Sequence, residues 1–242
     1  MVRAEQTSSP ECLATVEWTA RMGAVTAEAL AERMGTTVGV ARARLLAAAR
    51  KRLVLYRRPL TGQPALYTAT AAGARTCGVQ GLDPCRVTAS NARHLIECAR
   101  VAATLERCYP DHRVDGEREL RRDEREHGRE LASARIGAGA SGAPLLHRPD
   151  LILWPLSAES GLPVAVEVEL TVKAPRRLAD ICRAWARCRC VSGVLYLASP
   201  EVEPVLARAI ERAHAGDRVA VVPLAALTSG EEANQRTVAG DA

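Results

Sequence analysis

The spacing of apolar residues changes character along this chain, and that change most limits what it can fold into. Up to Leu53, apolar residues recur three and four apart in short stretches broken by Gly23 and Gly35. From His147 onward, alternating or continuous apolar runs take turns with helical stretches. Helical spacing broken by glycine predicts a small bundle of short helices, and strands alternating with helices predict a mixed sheet with helices packed on it. The expected fold class is α+β, in two parts.

In the first part, helices are expected over Glu11–Met22, over Ala27–Met34 with Thr26 as cap, and from Thr36-Thr37 to about Leu53. Val38, Ala41, Leu45 and Ala49 should face inward on the third. Leu53–Tyr56 and Ala65–Thr68 then read as two strands joined by the polar turn Arg57–Pro64, with another helix from Thr70. Two short helices joined by a glycine turn, the second longer and basic, followed by a hairpin, make a winged helix-turn-helix. The passage "LVLYRRPLTGQPALYTATAAGAR" resembles the wing and following helix of winged-helix regulators.

Charge supports that reading. Residues 1–82 carry 11 Lys/Arg against 5 Asp/Glu, whereas the whole chain has a net charge of only +5. A basic domain on a near-neutral body suggests a phosphate-backbone partner. Arg42, Arg44, Arg50 and Lys51 on the third helix, with Arg57 and Arg58 on the wing, are the expected contacts to double-stranded DNA. Because 31 of the 33 basic residues are Arg, the count alone says as much about coding bias as about function. The helix's outward residues, Gly39, Val40, Ala43 and Ala47, are small and offer few groups for reading base edges. A winged helix that binds protein instead stays open.

A connector helix is expected over Asn91–Cys108, with Leu95, Ala99, Ala102 and Leu105 as its stripe; His94 beside it reads as structural. The mixed-charge segment 113–135 reads as a solvated helix or surface loop, with Glu117 or Glu119 as lesser candidates for a site. The segment "IGAGASGAP" reads as a flexible loop. None of the eight cysteines forms a CxxC pair, and the close pair Cys188 and Cys190 reads as ordinary thiols. With no long apolar run and a polar N-terminus, a cytoplasmic protein with no membrane partner is expected.

The last part holds the candidate chemistry. In "VAVEVELTV", valines alternate with Glu167 and Glu169, so period two puts the valines on the core face and both glutamates on the other, ~6–7 Å apart. Asp150 opens the preceding strand, within reach of that face if the strands are antiparallel neighbours ~5 Å apart. Three converging carboxylates repel unless a cation neutralises them, and Mg²⁺ is the obvious one.

"RPD" opening a strand, then "VEVEL" on a neighbour, resembles the PD-(D/E)xK nuclease superfamily, which implies a restriction-endonuclease-like mixed sheet. The resemblance implies Asp150 and Glu167 as Mg²⁺ ligands. Glu169 stands where that family usually has the lysine that positions the attacking water, and Lys173 is the nearest lysine. On a straight strand Lys173 would lie ~13 Å beyond, so it is expected to pair with a carboxylate or contact a phosphate. The catalytic set so implied is Asp150, Glu167, Glu169 and Lys173, with Arg176 and Arg177 steadying a phosphate.

More narrowly, "ARHLIECARVAATLE", "GERELRR", "HRPDLIL" and "VAVEVELTVK", in that order behind a winged helix, resemble the replication-relaxation family of plasmids and mobile elements. The resemblance covers roughly residues 11–225, and with the residue pattern it gives a winged-helix domain over 1–82, a connector over 83–112 and a nuclease-like domain over 113–227; the polar tail over 228–242 is expected to be disordered from its composition. The resemblance implies a role in replication or DNA relaxation, with Mg²⁺-dependent cleavage, or else a regulator whose decayed nuclease domain serves dimerisation or protein contacts.

Overall fold

The structure, a computed structural model, describes residues 9–139, 142–157, 159 and 161–228. The tail expected to be disordered lies outside the described residues, apart from Thr228. The fold is mixed α+β, with eight α-helices among the described residues and three sheets. No helix among them is long and apolar enough to cross a membrane. The chain forms two compact units, residues 1–103 and 104–242.

Unit 1 begins with α1 (Pro10–Met22), β1 (Ala24–Val25), α2 (Ala27–Arg33) and α3 (Val38–Arg50). It continues with β2 (Val54–Arg57), β3 (Leu66–Ala69) and α4 (Ala71–Thr76). Its helices start where a hydroxyl can accept an otherwise orphaned backbone N–H. Thr26 Oγ1 accepts from Ala29 at 3.0 Å, Thr37 Oγ1 from Val40 at 3.3 Å and Thr70 Oγ1 from Gly73 at 2.9 Å. Gly35, at φ +57°, makes the left-handed turn that separates α2 from α3. The strands form an antiparallel sheet in the order β1-β3-β2, so that the β2–β3 hairpin lies at one side.

Val16, Trp18, Leu30, Leu45, Val54 and Tyr67 make the core of this unit, joined by Ala99 and Ala103 of α5 (Ala92–Cys108). On α3 the inward residues are Ala41, Leu45 and Ala48, spaced four and three. Val38, expected to face inward, is exposed, because it sits in the first turn ahead of the stretch that covers α1 and α2.

Unit 2 adds β4 (His112–Gly116), α6 (Glu117–His127), β5 (Ala134–Ala138), β6 (Pro144–His147) and β7 (Leu151–Pro155). It ends with β8 (Val164–Glu169), α7 (Pro175–Arg187), β9 (Gly193–Ala198), α8 (Glu203–Ala213) and β10 (Val219–Pro223). Five strands form one sheet in the order β10-β9-β8-β7-β4; β8, β9 and β10 run parallel, and β7 is antiparallel to both β8 and β4. α7 and α8 cover the face that presents Ile152, Ala165, Val194, Tyr196 and Ala198, with Leu178, Trp185 and Leu206 in the layer between.

Two segments differ from expectation. Of the loop expected over 136–144, residues 136–138 are the end of β5 and Pro144 opens β6, in a ladder that pairs Ala134 with His147 and Ala138 with Pro144; residues 140 and 141 lie outside the described residues. The charged segment 113–135 contains most of β4, helix α6 and the start of β5, and three of its acids, Asp115, Glu119 and Glu124, are buried.

The α3–β2 corner sets a tight steric demand. Thr70 Oγ1 donates to the Arg52 carbonyl at 2.9 Å, bringing α4 down on that corner. A Cβ on Gly73 would stand 2.0 Å from the Leu53 carbonyl oxygen, which cannot retreat without moving β2. Gly73→Ala is therefore expected to lose at least ~2 kcal/mol in urea unfolding followed by circular dichroism. Gly39→Ala on α3, where the nearest atom would be Thr37 Oγ1 at 3.8 Å, should be neutral or stabilising by up to ~1 kcal/mol.

Candidate functional site

The acidic residues of unit 2 meet at the end of the sheet where β7 begins and β8 finishes. In the β7–β8 register Leu151 faces Val166, and one further step sets Asp150 opposite Glu167. In the parallel β8–β9 register Glu167 faces Tyr196 and Glu169 faces Ala198. The alternation along β8 is as the sequence suggests, but the sidedness is not. Glu167 and Glu169 lie on the face that α7 and α8 cover, and the valine face is buried as well. The reason is that β8 is the middle strand of five, so neither of its faces meets water.

Glu167, 3% exposed, is consequently a carboxylate in the protein interior. Its Oε1 accepts from His147 Nε2 at 2.7 Å and from the Trp185 indole N–H at 3.2 Å. The two donor rings also meet edge to face, with centroids 5.8 Å apart. Burial pushes the Glu167 carboxyl above its ordinary range, against the pull of His147 beside it. Burial alone would lower His147, but the Glu167 carboxylate outweighs it and the imidazole is held above its ordinary value. The pair therefore retains a proton that the separate groups would release. The Tyr196 hydroxyl across the strand is pushed well up by burial and then by Glu167, so it stays neutral.

The other members are also engaged. Asp150 Oδ2 accepts from the Val168 backbone N–H at 2.8 Å, and the Asp150 carbonyl accepts from Glu117 N–H at 3.0 Å. Asp150 thus ties the start of β7 to both β8 and α6. The strand ends at Glu169, and the chain turns so that Lys173 Nζ reaches back to Glu169 Oε2. Lys173 pairs with a carboxylate, one of the two outcomes its spacing allowed. Arg176 and Arg177 are exposed in the first turn of α7.

Sequence reasoning overlooked three members of this network. His147 stands three residues before Asp150 in "HRPD", and that adjacency was the available signal. Trp185 read only as an apolar helix residue. Glu124, in the charged segment, accepts from Arg148 Nε at 2.9 Å and from Leu131 N–H at 3.1 Å. Of the acids singled out there, Glu119 Oε2 accepts from Gly116 N–H and so caps α6, while Glu117 pairs with Arg121.

In unit 1 the six basic residues are spread around α3 and the hairpin. Arg42 and Arg58 line one open cavity of about 500 Å³ with Leu46, Tyr56 and Tyr67. Arg42 stands 3.7 Å from Glu28. Arg44, two residues on and so on the opposite flank of α3, reaches the Met34 sulfur at 3.8 Å. Arg50, Lys51 and Arg57 are exposed. Among the apolar residues nearby, Val40 and Leu46 of α3 and Leu55 and Tyr56 of β2 are each more than a third exposed, and Leu46 and Tyr56 line the same cavity as Arg42 and Arg58.

The chain matches no protein-family model and no characterised protein shows significant similarity to it.

Because Glu167 and His147 bind their protons more tightly folded than unfolded, their stabilisation is complete below each group's ordinary value and is lost as pH rises through the raised one. The decline should begin above about pH 4.5 for Glu167 and continue above about pH 6.5 for His147. Urea midpoints measured from mildly acidic to mildly alkaline pH should fall accordingly, and His147→Asn should flatten the upper part of that decline. His147→Ala, which strips a buried carboxylate of its cation, should cost ~3–5 kcal/mol, and Glu167→Gln, which keeps an acceptor without the charge, clearly less.

Proposed function

We propose that this chain is a double-stranded-DNA-binding protein of the replication-relaxation type, acting on plasmid or mobile-element DNA. In this reading unit 1 is a winged helix-turn-helix and unit 2 a restriction-endonuclease-like body. The observation that carries it is the arrangement of unit 1. Three helices pack on an antiparallel sheet ordered β1-β3-β2, and the hairpin that carries Arg57 and Arg58 brings Arg58 beside Arg42 and Leu46 of α3. A winged helix presents its second helix-turn-helix element to the major groove and its hairpin to the backbone. Here the helix would lie close to the groove floor, because Gly39, Ala43 and Ala47 are small. Arg42, Arg50, Lys51, Arg57 and Arg58 would take phosphates around it. Contacts of that kind give affinity with little sequence readout.

Phosphate contacts release counterions, so duplex affinity should fall steeply with salt. Anisotropy of a labelled duplex titrated with the full chain at several salt concentrations tests this. Arg57→Ala and Arg58→Ala should each reduce the log–log slope by about 1. An affinity indifferent to salt would instead favour the winged helix as a protein-binding module.

For unit 2, the chain order α5-β4-α6-β5-β6-β7-β8-α7-β9, in which β4, β7 and β8 are neighbours in one sheet and Asp150 and Glu167 stand on adjoining strands, supports the nuclease-like reading of the fold. It gives less support to hydrolysis. Asp150, Glu167 and Glu169 have the hard oxygen atoms that Mg²⁺ prefers, yet Mg²⁺ keeps several waters and near-octahedral geometry. Glu167 is inside the protein with Oε1 already shared by His147 and Trp185, and Glu169 is held by Lys173. A metal would have to displace two cations and admit water beneath α7. This arrangement does not fit Mg²⁺, and it favours the non-catalytic regulator, whose nuclease-like unit serves as a scaffold.

A further inference from the structure

Away from the acidic cluster, unit 2 contains a second group of reactive side chains. α7 ends at Arg187, and Cys188 and Cys190 follow it on the turn into β9. Their sulfurs are 3.1 Å apart, and each thiol lies 3.6 Å from the Ser133 carbonyl oxygen. Both line an open cavity of about 770 Å³, together with Ser133, Glu130 and Arg135. The hydroxyl of Ser133, itself 1% exposed, is buried without a hydrogen-bond partner at this same place. The turn is held from behind by Arg218, whose guanidinium donates to the carbonyls of Cys188 at 2.7 Å and Val191 at 2.6 Å.

We propose that Cys188 and Cys190 are a redox-active dithiol, a modification site that a peroxide converts to an intramolecular disulfide. Two sulfurs 3.1 Å apart are already within reach of each other, which most free thiols are not. Their environment also separates their roles. The hydrogen bond from Cys190, and then the Arg218 guanidinium, bring the Cys188 thiol down to about 7, while Cys190 is raised. By contrast, burial pushes Cys182 up to about 11. The thiolate is the attacking form, so Cys188 is the nucleophile and Cys190 the resolving thiol.

The chemistry balances with hydrogen peroxide as the two-electron oxidant. The Cys188 thiolate attacks one peroxide oxygen, the O–O bond breaks, and the departing hydroxide takes a proton to become water, leaving a sulfenic acid. The Cys190 sulfur then attacks the Cys188 sulfur, the S–O bond breaks, and hydroxide leaves with the Cys190 proton as a second water. Two thiols and one peroxide yield one disulfide and two waters. The ring closed through a single intervening residue is small and strained, and strained disulfides are the readily reduced, labile ones. The pair is therefore expected to cycle.

The test is differential alkylation of the full chain after brief exposure to stoichiometric hydrogen peroxide, read by mass spectrometry. Trypsin cuts after Arg187, Arg189 and Arg208, so the disulfide would join the dipeptide Cys188–Arg189 to the peptide Cys190–Arg208. The expected result is that this linked species forms at least about ten-fold faster than oxidation of any other cysteine, and that dithiothreitol releases it. Cys190→Ala should leave Cys188 as a trappable sulfenic acid. The proposal is overturned if both thiols alkylate as freely as before while other cysteines oxidise, or if the linkage forms between chains. Because the wild-type protein gives the primary readout, misfolding of the variant would not obscure the answer.

Discussion

A carboxylate on the middle strand of a sheet, roofed by a helix, has to be neutralised where it stands, because the strand cannot return it to water. Glu167 is in that position, and much of unit 2 is arranged around it. β6 ends on His147 so that an imidazole reaches it, and α7 lies where the Trp185 indole can donate to the same oxygen. The chain doubles back after β8 so that Lys173 holds the neighbouring Glu169. Asp150 is occupied in stitching β7 to β8. An interior ion pair of this kind contributes little net stability over an apolar substitute, but removing one partner is costly, so it fixes these elements relative to each other.

Unit 1 follows a different economy. It has few large side chains, and its core depends on Trp18, Leu30, Leu45 and Tyr67 with alanines between them. Alanine-rich faces let helices approach closely, and at the α3–β2 corner, where Thr70 holds α4 down, Gly73 sits against backbone. The same smallness continues outward on α3, where it leaves a shallow apolar surface framed by arginines. In the proposed reading, such a surface would approach a groove closely, and the phosphates at its margins would supply the affinity.

Much of this was legible from residue pattern, for definite reasons. Helix starts in unit 1 were marked by Thr26, Thr37 and Thr70, whose hydroxyls do cap, and the hairpin by polar turn residues between two apolar runs. On β8 the period-two alternation held, and the reach from Asp150 followed from the antiparallel spacing. What could not be read was which face of β8 would be covered, since that depends on the strand's rank within the sheet, a long-range property. The β5–β6 hairpin escaped because glycine and alanine carry little strand preference. Glu119 and Glu124 escaped because a buried, partnered acid looks in sequence like any solvated one. His147 and Trp185 acquire their roles only when distant segments meet at Glu167.

In the proposed reading the acidic end of the sheet is an internally neutralised network that does not hydrolyse DNA. Incubation of supercoiled plasmid with the purified chain and millimolar Mg²⁺ or Mn²⁺ tests it most directly, beside Asp150→Ala and Glu167→Ala. The account predicts that the plasmid stays supercoiled with all three proteins while the wild type still binds duplex. Nicking or linearisation by the wild type that disappears in both variants would contradict it and assign Asp150 and Glu167 to catalysis.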